Sequence, residues 1–271
     1  MLPLLQDTGG KIFMNKIAQA FDHQKAFIAF ITAGDPIIDK TKDYIHTLQD
    51  AGVSLIEIGI PFSDPIAEGP TIQNANVRAL KHHIHTDHVF DMVEDIKDDI
   101  RIPLCFMTYL NVVFHYGYDR FFKRCQEVGT SGIIIPDLPY EEAKEVSDVC
   151  ENYDVTLISM IAPTSKARVE MIAKEAKGFI YLVSSMGVTG TRENASFSTN
   201  LKEITDTIRS VTSTPVAVGF GINTPEQVKE FTSYADGAIV GSAIVNIVAE
   251  HGEHAEEALY NYVKAMTDAC R

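Results

Sequence analysis

The sequence predicts a single-domain (β/α)8 barrel spanning residues 1–271, with an extra N-terminal helix. Three observations lead there. Short apolar runs recur eight times, amphipathic stretches lie between them, and no Pro-, Gly- or Ser-rich linker divides the chain into halves. Strands that alternate with helices in one uninterrupted chain fit a closed TIM barrel.

Phe13, Ile17 and Phe21 come first, spaced along one face of a helix ahead of the first strand. Residues 26–32 (AFIAFIT) form the first apolar run and 54–58 (SLIEI) the second. The others are 103–107, 132–135, 155–160, 178–183, 215–218 and 237–240. Such runs, rich in Ile, Val and Phe, suit strands buried on both faces, as in a parallel sheet. Between them, residues 87–97 place Val89, Val93 and Ile96 on one helical face, and 118–128 show a similar period. Residues 141–150 repeat it with Ala143, Val146 and Val149, just after Pro139 and with acidic residues in the first turn. Both features mark a helix start. Residues 225–231 follow, a helix is expected from near Ser242, and 255–266 set Ala255, Leu259, Tyr262 and Met266 on one stripe. A doubly wound open sheet is the alternative. It calls for a GxGxxG-type loop after the first strand, and Thr32-Ala33-Gly34-Asp35-Pro36 is not one.

The formal charge of −14 argues against a nucleic-acid surface, which needs clustered Lys and Arg. A small phosphate ligand stays open, because backbone amides can bind one. Cys105, Cys125, Cys150 and Cys270 match neither a CxxC redox pair nor a zinc ribbon, so they read as reduced, mostly buried thiols. The segment 1–7 is too short for a signal-peptide core and no apolar run is long enough for a membrane span. The expectation is a soluble, cytoplasmic protein with no membrane partner.

In a barrel the loops after the strands form the active face. The seventh run ends in Gly219-Phe220-Gly221 and the eighth in Gly241-Ser242. Glycines let a ligand approach the backbone, N–H groups can face an anion, and a helix starting near Ser242 adds its dipole. These glycines also read simply as tight turns. Glu57 stands inside the second apolar run, where a charge is costly to bury without a task or a partner. A desolvated carboxyl there has a raised pKa and can work as acid or base near neutrality; a buried ion pair or a backbone hydrogen bond is the other explanation. Ser63, Asp64 and Glu68 follow in a loop stiffened by prolines. Residues 184–194, rich in small and polar side chains, read equally as a mobile lid or a surface connection. His82, His83, His85 and His88 are scattered around a helix junction, which suits a solvated surface rather than a zinc site, and no metal is expected.

The run Glu57-Ile58-Gly59-Ile60-Pro61-Phe62-Ser63-Asp64-Pro65 resembles the signature of the tryptophan synthase α-subunit family. Other stretches match in order: 30–36 (FITAGDP), 107–111 (MTYLN), 136–139 (PDLP), 181–190 ending in GVTG, and both Gly-rich strand ends. The resemblance implies retro-aldol cleavage of indole-3-glycerol phosphate to indole and glyceraldehyde 3-phosphate. Glu57 would be the acid/base, and Glu68 the second carboxylate, facing the indole N–H. The family usually has Asp there, in a PFSDPxADGP context, so Glu68 is the main departure. By the same resemblance Gly190, Gly219, Phe220, Gly221, Gly241 and Ser242 surround the phosphate, and Phe30, Met107, Tyr181 and Phe220 line the ring pocket. Thr189 would close the lid and orient the second carboxylate. Pro61 and Asp64 would face a β subunit in an α2β2 heterotetramer. That partner would carry pyridoxal phosphate and this chain no cofactor. Two alternatives remain: a stand-alone lyase that releases indole, and a non-catalytic phosphate-binding barrel.

Overall fold

The computed structural model describes residues 16–22, 24–184, 194–219 and 221–270. Among these, nine strands form one parallel sheet: β1 (Ala26–Thr32), β2 (Leu55–Gly59), β3 (Leu104–Met107), β4 (Gly132–Ile134), β5 (Thr156–Leu157), β6 (Ser159–Ile161), β7 (Ile180–Val183), β8 (Val216–Gly219) and β9 (Gly237–Val240). The spatial order is β5-β4-β3-β2-β1-β9-β8-β7-β6. The two ends of that order are consecutive in the chain and separated by Ile158 alone. The sheet therefore closes on itself, and the barrel has eight staves.

The fifth stave corrects the reading of 155–160 as one strand. β5 pairs with β4, whereas β6 pairs with β7. Closing a barrel staggers its strands, so this short stave meets its two neighbours at different heights. Regular pairing lapses between the halves, where the Ile158 N–H still donates to the Ile133 carbonyl at 2.9 Å. The seventh apolar run also starts later than expected, at Val216, and the sixth at Ile180.

Burial on both faces follows from the continuous apolar runs. Every residue of β1 is buried, and successive side chains go to different cores. Ala26, Ile28 and Phe30 face inward with Leu55, Cys105, Met107, Ile134, Phe179, Tyr181, Ala217 and Ile239. Phe27, Ala29 and Ile31 face outward, toward the helices. This is the period of two that a strand imposes.

The surrounding helices are α1 (Lys16–Gln19), α2 (Ile38–Asp50), α3 (Pro70–Leu80), α4 (Thr86–Ile96), α5 (Leu110–Tyr116), α6 (Tyr118–Val128), α7 (Ala143–Glu151), α8 (Lys166–Glu175), α9 (Asn194–Arg209), α10 (Pro225–Thr232), α11 (Ser242–His251) and α12 (Glu256–Cys270). The extra helix is α1, and of its expected stripe Phe13 lies outside the described residues. Ile17 is fully buried and Phe21 packs on Phe179 with ring centroids 5.5 Å apart. Together they plug the N-terminal end of the barrel. A Cβ on Gly132 would stand 3.0 Å from the tip of Ile17, so a side chain at the first residue of β4 would press on the plug. The histidine-rich junction is a helix start. His85 is the N-cap of α4, its backbone N–H donates to His88 Nδ1 at 3.0 Å, and the two rings stack. No group of three His, Cys, Asp or Glu residues converges as a metal site among the described residues.

Candidate active site

Glu57 lies in the middle of β2 on the inward face, level with Phe30 on β1 and Cys105 on β3. It is 0% exposed, and neither carboxyl oxygen has a hydrogen-bond partner. Neither the buried ion pair nor the backbone bond considered from sequence is formed. Burial pushes its pKa up to about 8. A carboxyl in that state can give a proton at neutral pH and take one back.

Glu68 approaches from the β2–α3 loop, just ahead of α3. Its pKa is raised to about 7 by burial, against the opposing pull of a hydrogen bond from Asn76. That bond, Asn76 Nδ2 to Glu68 Oε2, measures 3.2 Å. The loop is also held at Ala67, whose N–H donates to the Tyr109 hydroxyl at 2.9 Å, and at Phe62, which stacks on the Tyr109 ring. Asn76 and Tyr109 hold the loop that carries Glu68, and neither stands out as a site residue in the sequence. The signal for Asn76 was slight: a polar side chain of modest helix propensity on the buried stripe of α3, among Ile72, Ala75 and Ala79.

Tyr181 relates the two carboxyls. Its phenol is wholly buried, and its pKa is pushed up first by burial, then by the negative charges of Glu57 and Glu68. Both acids thus lie within electrostatic reach of one hydroxyl on the inner wall. Phe30 and Met107 share that wall. Gly219 makes room for the phenol: a Cβ there would stand 2.5 Å from the Tyr181 oxygen.

The phosphate candidates occupy neighbouring strand ends. Gly219 closes β8, which pairs with β9, and Gly241 follows β9 as the N-cap of α11. Gly241 lies beside Phe30, with room for a Cβ at 3.4 Å, and Ser242 opens α11 with an exposed side chain. Gly221 has φ of +77°, which suits glycine. The first-turn N–H groups of α11 face the same end of the barrel as these loops, an arrangement that favours an anion. Thr189, Gly190 and Phe220, with the proposed lid, lie outside the described residues.

Pro61 and Asp64 are set apart from this interior. Pro61 lines a rim cleft of about 390 Å³ with Phe62, Asn111 and His115, while Asp64 is exposed and accepts a hydrogen bond from Ser63.

A barrel with an unpartnered buried carboxyl and a second carboxyl acting on the same tyrosine narrows the choice, and comparison with known proteins completes it. The family profile described as "Tryptophan synthase alpha chain" matches residues 17–270. The chain belongs to the tryptophan synthase alpha chain family. The Lacticaseibacillus casei alpha chain is 46% identical over 255 residues, covering 94% of this chain and 95% of that one. The crystal structure of the Legionella pneumophila alpha subunit superposes with a TM-score of 0.86 at 36% identity, covering 95% and 99%. A Mycobacterium tuberculosis tryptophan synthase in its aminoacrylate-bound form gives 0.84 at 27% identity, covering 95% and 100%. Tryptophan synthase alpha chains are lyases that cleave indole-3-glycerol phosphate in tryptophan biosynthesis.

Proposed function

We propose that this chain carries out that cleavage with Glu57 as the acid/base and Glu68 as the charge-stabilising carboxylate. The observation that carries the assignment is the unpartnered carboxyl of Glu57, buried within reach of a ring-sized apolar wall. Indole leaves poorly as a carbanion, so its C3 must first be protonated. Glu57, protonated at neutral pH by its burial, gives that proton, and positive charge gathers on the ring nitrogen. The resulting carboxylate then takes the proton of the side-chain hydroxyl. The oxygen's electrons form the aldehyde C=O, the C–C bond breaks, and its electron pair restores the neutral indole. Across the two steps one proton moves from hydroxyl to C3. Glu68, facing the N–H, stabilises the charged ring in between.

Phe30, Met107, Tyr181 and Phe220 would hold the ring. Gly190, Gly219, Phe220, Gly221, Gly241 and Ser242 would anchor the phosphate by neutral donors and the α11 dipole, with Thr189 closing over the substrate. The test is a cleavage assay on paired variants. Glu68→Asp keeps most turnover, whereas Glu68→Asn loses on the order of a hundredfold, the scale of one preorganised electrostatic contact. Equal activity in the two removes Glu68 from the mechanism.

A β subunit carrying pyridoxal phosphate is the proposed partner, in an α2β2 assembly in the cytoplasm, with indole passed to it directly. Pro61 and Asp64 would face it. Support comes from the surroundings: Ile66 is 82% exposed in the same loop, and Phe114 is 66% exposed on α5, the helix that supplies Asn111 and His115 to the rim cleft. Large apolar side chains in water are typical of a surface that a partner covers. Steady-state turnover with and without added β subunit decides this. Strong activation supports the complex, and high activity unchanged by β supports a stand-alone lyase.

A further inference from the structure

We infer that Asn76 is the positioning residue of the second carboxylate: its amide clamps both ends of the β2–α3 loop and fixes where Glu68 meets the substrate ring. The inference rests on the role proposed above for Glu68. Asn76 is 5% exposed, on the inner side of α3. Its Nδ2 donates to Glu68 Oε2 at 3.2 Å and to the Ile72 carbonyl at 3.0 Å. Its Oδ1 accepts the Phe62 N–H at 3.2 Å. Phe62 begins the loop and Glu68 nearly ends it, so one side chain ties the two together.

The three bonds leave the amide a single orientation. Turned over, Oδ1 would face a carboxylate and a carbonyl, and the NH2 group would face an N–H donor. All three contacts would become repulsive at once. The helix that carries Asn76 is itself anchored. Two residues on, Arg78 forms a paired contact with the buried Asp35 at the end of β1, Nε to Oδ1 at 2.7 Å and the second nitrogen to Oδ2 at 2.8 Å. Asn76 therefore sits on a helix with an anchor of its own in the β1–α2 loop, independent of the loop it holds.

This matters most for a glutamate. Compared with the family's usual aspartate, Glu68 has one more rotatable bond, and a longer side chain needs an external hold to present its charge at one place. A donor aimed at Oε2 supplies the hold and also favours the ionised form that must face the indole N–H.

The test uses the full chain with saturating β subunit in the indole-3-glycerol phosphate cleavage assay. Asn76→Asp keeps the shape and the acceptor for Phe62 but removes the donor and adds a like charge. Asn76→Ala removes all three bonds. Both are expected to lower kcat on the order of tenfold, with less change in KM, as expected when a hydrogen bond to a charged group is lost. Both should also move the acid limb of the pH profile upward, since the bond that holds the Glu68 pKa down is gone. A merely structural role would not move that limb. In a Glu68→Asn background, Asn76→Ala should add no further loss. Should Asn76→Ala fail to fold, the near-isosteric Asp variant and its pH limb carry the test. Normal kcat and an unmoved limb in Asn76→Asp, or additive losses in the double variant, overturn the inference alone. A Glu68→Asn single variant with normal turnover overturns the reading beneath it as well.

Discussion

Glu57 shows what one residue costs the fold in exchange for chemistry. An acid whose folded pKa is raised stabilises the fold fully only below its unfolded pKa, and that contribution is lost as pH rises toward the folded value. From an ordinary carboxyl of 4.5 to about 8, the loss reaches on the order of 3 kcal/mol at neutral pH. Glu57→Gln should therefore bind indole-3-glycerol phosphate without cleaving it. Relative to the wild type it should gain thermal stability between about pH 5 and 8, with little change below pH 4.5. A calorimetric pH series on both proteins measures this, and a constant difference across the range refutes an unpaired acid. Activity should follow a bell. It rises as Glu68 ionises near 7 and falls as Glu57 loses its proton near 8, read from kcat/KM against pH. Glu57 stood out in the sequence because a charge inside SLIEI needs a reason. Asn76 did not, because its importance comes from Phe62 and Glu68, fourteen and eight residues away, which only the folded helix brings to it.

Most strands were legible because they are covered on both faces, so their runs are almost wholly apolar. Helices α2 and α3 were harder to read, since their outward faces are polar and their buried stripes short. The division of the fifth stave could not be read from residues 155–160, because it depends on where β4 and β7 stand after closure. The extra helix was legible as a stripe, while its task was not: Ile17 reads as any amphipathic anchor until Gly132 is seen beneath it. Truncating Ile17 to Ala opens a cavity in a fully enclosed site, and about 2–4 kcal/mol of stability should be lost. Urea denaturation measures it. A loss under 1 kcal/mol would mean that the plug contributes little to holding the barrel together.

Taken whole, the molecule holds the two candidate acids, Glu57 and Glu68, toward the barrel interior, and its two most exposed large apolar side chains among the described residues, Ile66 and Phe114, lie on the β2–α3 loop and on α5. The barrel and the Gly-rich strand ends were open to pattern reading, and the family motifs tied them to one reaction. The exposure of Ile66 and Phe114 was not, since both look like ordinary core residues in the sequence. Their proposed docking role predicts a separation of functions. Phe114→Glu should weaken activation by the β subunit at least tenfold in the concentration required, as expected for a central apolar anchor, while turnover of the isolated chain stays normal. Titration of cleavage against β subunit measures both, and unchanged activation would place the docking surface elsewhere.

The plug under the barrel has one more effect, on traffic. With Ile17 and Phe21 stopping one end, the interior is a cup, and whatever is admitted leaves by the same brim. In the proposed binding mode the phosphate-bearing fragment would rest at the brim and the indole ring below it, so the order of departure would be tied to what stands over the opening. A β subunit seated on the Pro61 and Asp64 side, as proposed, would thus be a doorkeeper for both products.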